Sequence, residues 1–402
     1  MSKSGPNQKK KDNVPLLAVV EGGGTSFRVA VCEYHPNTST TTTSSDPQEL
    51  VILHRDEFDA SDPQTTLQKC ADFFQQHKPA KTGYSALGIA TFGPVGVHTA
   101  ESSTYGCILP SSPKATWRNV NLLAPLQKAC QGTNRKPTPA LVETDVNAPA
   151  LAEYQKEKKT NPNIRSTAYI TVGTGVGVGL VVNGKTVHGR MHPEGGHLPI
   201  QPLPDESSSS SFEGYSWGVD VAPFGGKSTV EGVASTVALT ERLALRESTS
   251  ENNPLERSAL QQLSDDDPLF DHAANALANL CASLLLMLSM EKIVLGGGLM
   301  NRQGLLEKIQ ARTVQLLNGY LPLPDNIATI IACSTAGNDA GLEGAMVLAK
   351  EAYLTGGKRG TEEEEATAMK QTAFNVGLWH GIVVGAIGAA AVMKYFLSRR
   401  RA

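Results

Sequence analysis

Two stretches of the chain repeat one arrangement of apolar and polar positions. Leu16 to Tyr34 reads LLAVVEGGGTSFRVAVCEY, and Ala168 to Gly189 reads AYITVGTGVGVGLVVNGKTVHG. Each is a run rich in β-branched residues, a glycine-spaced turn and a second apolar run, which predicts strand, turn, strand. Asn183-Gly184, set between apolar residues, adds a two-residue hairpin turn and a third short strand to the second unit. Glycines let backbone N–H groups approach an anion, and Thr25 and Thr174 each add a hydroxyl donor. The dinucleotide fingerprint does not fit, because Val178 stands where its third glycine belongs. One glycine hairpin is equally well a plain tight turn. The repetition favours a pair of phosphate loops.

The remaining pattern fills in an α/β chain. It predicts a strand over Leu50–Leu53, a helix around Thr65–His77, and a strand Ala86–Ala90 running into Thr91-Phe92-Gly93-Pro94. Such a turn at a strand's carboxyl end is where open α/β sheets place ligands. Strand Ala140–Glu143 then delivers Thr144-Asp145-Val146-Asn147, with a helix starting near Ala148. Further on, Val230 to Glu247 has helical spacing, helix Ala273–Met290 leads into IVLGGGLM, and strand Ala328–Ala332 precedes helix Ala340–Ala352. The layout predicts a leader at 1–13, two similar domains at 14–140 and 141–355 facing a cleft, a linker at 356–373 and a tail at 374–402. The last helix of the second domain is free in this reading to pack back on the first.

The tail changes the picture more than the composition does. Val376 to Met393 holds one ionisable residue, His380, and is followed by Lys394 and three arginines. Eighteen helical residues span ~27 Å, just short of a ~30 Å hydrocarbon core. This predicts a single C-terminal membrane helix, with a Gly/Ala-rich helix packed on the body as the competing reading. Gly377, Gly381 and Gly385 recur at a spacing that permits close helix–helix contact, so a homodimer is an open expectation. The weakly apolar span with basic end residues fits an organelle outer membrane, mitochondrial or plastid, with the body facing the cytosol. Residues 1–13 are polar and lysine-rich, with no secretory apolar core. A net charge of −3 gives no case for nucleic acid, and six scattered cysteines without a C-x-x-C pair read as reduced thiols.

Taken together, EGGGTSF, TFGPVGV, TYG…LPSSPKATW, TDVNAPALAE, YITVGTGVGVG, HPEGGH, VEGVAS and IVLGGG resemble the ROK family of sugar kinases, fructokinase branch. The motifs run in family order from about Leu16 to Leu348. The resemblance implies an actin-like ATPase fold of two RNase H-like domains, with ATP between them and the sugar deeper in the cleft. It implies that Asp145 is the catalytic base, that Gly23-Gly24-Thr25 and Gly173-Thr174-Gly175 hold phosphates, and that Gly296, Gly297 and Gly298 face the adenosine. Asn147, Gly93, Glu194, His197 and Glu231 correspond to positions that contact or support the sugar. An Asp at such a strand end can instead cap the following helix.

The departures carry weight too. Relatives usually have Lys after the first Gly-Gly-Thr, and here Ser26 stands there. That removes a positive charge beside the phosphates, shifts reliance to Mg²⁺ held through Glu21, and makes Lys227 a candidate replacement. Gly226-Lys227-Ser228 is not a Walker loop, because Val221 occupies the first glycine's place. The family's structural zinc takes His197 and three further ligands, but Pro223, Gly226 and Thr229 occupy those columns, so zinc is expected to be absent. The expectation is an ATP- and Mg²⁺-dependent hexokinase, with fructose favoured. Glucose, mannose and N-acetylhexosamine kinases stay open, as does a catalytically weak, membrane-tethered sugar sensor. Family repressors carry a DNA-binding segment ahead of the body, for which the residues before Leu16 leave little room.

Overall fold

The structure is a computed structural model. It describes residues 14–36, 49–98, 103–133, 135–201, 203, 213–216, 220–247 and 258–358. The leader, most of the linker and the tail with its expected membrane helix lie outside the described residues.

The first hairpin forms β1 (Leu16–Gly22) and β2 (Ser26–Tyr34), continued by β3 (Leu50–Asp59), which extends well past the expected Leu53. Helix α1 (Pro63–His77) starts where Asp62 accepts a hydrogen bond from the Thr65 N–H at 2.8 Å and Pro63 takes the first turn. Strand β4 (Ala86–Thr91), α2 (Leu123–Cys130) and β5 (Ala140–Thr144) follow, then α3 (Asn147–Thr160). The second unit repeats the start with β6 (Ser166–Val172), β7 (Val176–Val182) and β8 (Lys185–Thr186). After it come α4 (Val230–Ala234), α5 (Thr236–Arg246), α6 (Ser258–Gln261), α7 (Leu269–Leu288), β9 (Lys292–Gly296), α8 (Leu305–Leu317), β10 (Ile331–Cys333) and α9 (Ala340–Thr355).

Two five-stranded sheets result, ordered β3-β2-β1-β4-β5 and β8-β7-β6-β9-β10. In each, a hairpin strand pairs antiparallel on one side and takes two parallel strands on the other. This is one topology written twice, the two-domain actin-like ATPase arrangement. Trp117, Phe27 and Phe74 anchor the core between the first sheet and α1–α2, with the Phe27 and Trp117 rings stacked at 4.8 Å. Helices α7 and α8 cover the outer face of the second sheet. A third cluster lies between the sheets, where Leu17, Leu141, Leu151, Val181 and Leu348 pack with α3 and α9. That shared core fixes the strand ends that form the cleft.

Two expected elements differ. The helical run from Val230 is broken at Ser235, which ends α4 in an extended conformation (φ −66°, ψ 154°) and caps α5 by accepting from the Ala238 N–H at 3.1 Å. The strand expected at Ala328–Ala332 is a single 3₁₀ turn, Ile327–Thr329, followed by β10. Helix α7 is long and apolar enough to cross a membrane, but 72% of its most apolar window is buried in the body. It is a core helix here.

Candidate active site

Strands β4 and β5 end side by side and build the floor of a cleft of about 530 Å³. The Asp145 N–H donates to the Thr91 carbonyl at 2.8 Å, which ties the two strand ends together and leaves the Asp145 carboxyl in the cleft. Burial, then the negative charge of Glu21, pushes that carboxyl up to about 7, against a lowering pull from Lys114. Lys114 is itself pushed down to about 8 by burial, and its ammonium sits 4.5 Å above the Phe92 ring. The surroundings therefore put the proton equilibrium of Asp145 near neutrality.

Both glycine turns line this cleft. In the first, the Gly23 N–H closes the turn on the Ser26 carbonyl at 2.8 Å, and Gly24 faces open space. Glu21 and Arg28 are register partners across β1 and β2, and Arg28 Nε donates to Glu21 Oε2 at 2.6 Å. Arg28 Nη1 reaches the Asn338 carbonyl and Asp339 Oδ1, the latter at 3.2 Å. Desolvation pushes the Glu21 carboxyl up, while Arg28 pulls it down. In the second turn, Gly173 N–H donates to the Gly175 carbonyl at 2.9 Å, and the Gly173 carbonyl accepts from Thr236 N–H at 2.8 Å. Glu231 holds this turn from behind: its Oε2 accepts from Val176 N–H at 3.0 Å, and its Oε1 accepts from the Ser216 hydroxyl.

The third wall comes from the HPEGGH segment. Val95 N–H donates to His192 Nε2 at 3.2 Å, so the proton sits on Nδ1, which faces the Pro193 carbonyl and the Glu194 carboxylate, both at 3.4 Å. Burial pushes the His192 imidazole down, keeping it neutral. This bond holds the Gly93-Pro94 turn, and a Cβ at Gly93 would come within 3.0 Å of the ring. The Glu194 carboxyl is pushed up to about 7 by desolvation, then by the charges of Glu231 and Asp145.

Most residues singled out in the sequence meet in this cleft: Asp145, Glu21, Gly93, Glu194, His197, Glu231, Gly23, Gly24, Gly173, Thr174, Gly175 and Gly297. Thr25 is exposed beyond the first turn. Gly296 lies beneath Tyr169, and Gly298 opens a neighbouring hollow of about 570 Å³ with Thr236, Leu299 and Arg302. Asn147 is a correction. It is fully buried, with its Nδ2 donating to Glu143 at 3.2 Å and its Oδ1 accepting from Leu180 N–H at 2.9 Å. As the first residue of α3 it turns inward, and Thr144 takes the cleft position. Lys227 is another: its ammonium pairs with Glu213 at 2.6 Å, outside the cleft.

The geometry adds residues that sequence reasoning passed over, namely Arg28, Thr144 and His192 in the lining, Lys114 behind Phe92, and the contact of His188 Nε2 with the buried Glu143 carboxyl at 2.6 Å. Strand alternation puts Arg28 on the face of Ser26, a signal that was there to read. Glu143 and His188 are 45 residues apart, and no local pattern joins them. For zinc the residues present do not fit. Thr229 Oγ1 caps α4 by accepting from Gly232 N–H at 3.0 Å, Pro223 and Gly226 carry no donor side chain, and no cluster of three ligating side chains occurs among the described residues. The buried Nδ1 of His197 has no hydrogen-bond partner there. For Mg²⁺ the fit is better, since that ion needs only one or two carboxylates beside substrate phosphates. Glu21, in the cleft lining with Gly23 and Gly24, is a carboxylate that could supply such a contact.

A duplicated sheet topology with two glycine turns and a carboxylate lining one cleft defines the actin-like ATPase fold. The chain belongs to the ROK family, whose model matches residues 18–352. It is 31% identical over 316 residues to a fructokinase of Lactococcus lactis subsp. cremoris, covering 79% of this chain and 90% of the relative. It is 31% identical over 343 residues to a fructokinase of Zymomonas mobilis, covering 84% and 98%. Among solved structures it is similar to a ROK family glucokinase from Streptomyces griseus in complex with glucose and AMPPNP, at TM-score 0.58 and 20% identity, covering 84% and 99%.

Proposed function

We propose that the chain is an ATP-dependent fructokinase in which Asp145 is the general base. The observation that carries this is Asp145 itself, raised to about 7 in the cleft that both glycine turns line. A base is most effective when its pKa lies near the working pH. The sugar hydroxyl oxygen attacks the γ-phosphorus and its proton passes to Asp145. The bridging P–O bond breaks, and ADP leaves with that electron pair. Backbone N–H groups at Gly24 in the first turn and at Gly175 in the second line the path of the triphosphate, and Thr174 adds a hydroxyl. Glu21 would hold Mg²⁺, which would neutralise charge on the phosphate oxygens when bound. Glu194, His197 and Thr144 face the acceptor side, and the hollow at Gly298 suits a base and ribose. Fructose is favoured over other hexoses by the two fructokinase relatives.

The test is ATP-dependent phosphorylation measured across fructose, glucose, mannose and N-acetylmannosamine. Preference for fructose by kcat/KM supports the proposal. Preference for another sugar moves the assignment within the family, and no turnover with any sugar favours the sensor reading. The proposal extends to residues 374–402 as an anchor in an organelle outer membrane, supported by the apolar Gly/Ala span and its basic end. Deleting them should move the protein to the soluble fraction, and continued membrane association would refute the anchor.

A further inference from the structure

The cleft is short of positive charge for the ligand assigned to it. Glu21, Asp145, Glu194 and Glu231 line it, and among the described lining residues Arg28 is the one arginine or lysine. Position 26, next to the first turn, is a neutral serine whose hydroxyl donates to Glu57. Lys227 is paired outside. A triphosphate beside four carboxylates carries more negative charge than one Mg²⁺ offsets, so a fixed side-chain cation in contact with it is favourable.

Arg28 is built as a fixed donor. Its Nε is held by Glu21 Oε2 at 2.6 Å and its Nη1 by Asp339 Oδ1 at 3.2 Å and the Asn338 carbonyl. Two of the three guanidinium nitrogens are thus held, one by the end of β1 and one by the segment ahead of α9. Nη2 has no hydrogen-bond partner among the described residues, and the side chain is 21% exposed on the cleft wall beside Gly23 and Gly24. A guanidinium fixed at two nitrogens with the third open loses little conformational freedom when it meets a phosphate oxygen. Glu21 and Asp339 have the geometry of a brace that sets the angle of the fork.

We propose that Arg28 binds the triphosphate of the nucleotide, with Nη2 donating to a phosphate oxygen, and that Glu21 and Asp339 position it. This rests on the reading of the cleft as an ATP site. Position 28 then supplies the charge that position 26 lacks, from the same face of β2 one residue pair further from the turn.

The experiment is calorimetric titration of the whole protein with Mg²⁺-ATP, and separately with adenosine, which carries no phosphate. For wild type, ATP should bind more tightly than adenosine. For Arg28→Met, ATP should weaken by about 10- to 100-fold, the size of a charge-assisted hydrogen bond, with adenosine unchanged within about twofold. Arg28→Lys keeps the charge without the fork and should fall between the two for ATP. It also replaces the Met variant if thermal unfolding shows that variant to be poorly folded. Unchanged ATP affinity in the variant overturns the proposal. So does equal weakening of ATP and adenosine, which would make Arg28 a structural brace only. Failure of wild type to bind ATP would instead overturn the nucleotide reading beneath it.

Discussion

The two glycine hairpins share a topology and differ in what stands behind them. The first, β1–β2, is backed by charge: Glu21 and Arg28 pair across the strands and lock onto the segment ahead of α9. The second, β6–β7, is backed by backbone bonds, with Glu231 accepting from Val176 N–H and Thr236 N–H closing on the Gly173 carbonyl. Room differs at one position of each turn. A Cβ at Gly24 would meet nothing within 4 Å, whereas one at Gly175 would lie 2.5 Å from Glu231 Oε2. Duplicated backbone does not mean duplicated chemistry. The first turn is braced by an ion pair, and the second is packed at Gly175 against the carboxylate that holds it.

The sharpest way to isolate the hairpins from the chemistry is Asp145→Asn. It should lower kcat by roughly 10²–10⁴-fold while ATP affinity, set by the turns, changes little. Steady-state kinetics with calorimetry checks this, and a loss below tenfold in a folded variant removes Asp145 from the role. Next in size, Gly175→Ala should destabilise the fold by about 1–3 kcal/mol through overpacking against Glu231. Gly24→Ala should leave the melting temperature nearly unchanged and raise only the KM for ATP. Equal melting losses in both would erase the contrast between the turns.

A smaller effect concerns pH. Asp145 and Glu194 are both raised to about 7 and lie close enough to interact, so kcat/KM should rise with pH through about 7 as the pair loses protons. A folded-state pKa above the unfolded value means that stability is highest below the unfolded pKa of ~4 and is lost as pH rises through about 7. Asp145→Asn should therefore stabilise the fold at pH 8 relative to wild type, and this gain should vanish near pH 4. Thermal unfolding at both pH values measures it. The smallest expected signal is in metal analysis, where purified protein should carry far less than one zinc per chain.

Both hairpins were legible because a strand–glycine–strand pattern is local, and the pairing of Glu21 with Arg28 follows from the turn once the strand ends are known. The position of Asp145 was legible for the same reason, as the residue just past a buried strand. Asn147 misled because two residues after Asp145 the chain has already entered α3, and the helical turn directs the amide into the core. The break at Ser235 was hidden by unbroken helical spacing on both sides. Partners such as His188 for Glu143, or Val95 for His192, depend on how distant segments meet, and local periodicity carries no record of that.

Helix α9 packs on β1, β4 and β5, so close to β4 that a Cβ at Gly88 would lie 2.2 Å from the Ala345 carbonyl oxygen. The sheet made first during synthesis is thus covered by the last described helix. While the chain is still on the ribosome, one face of that sheet stays bare until the residues of α9 emerge. Its apolar strands must wait in the company of chaperones or risk pairing with other chains.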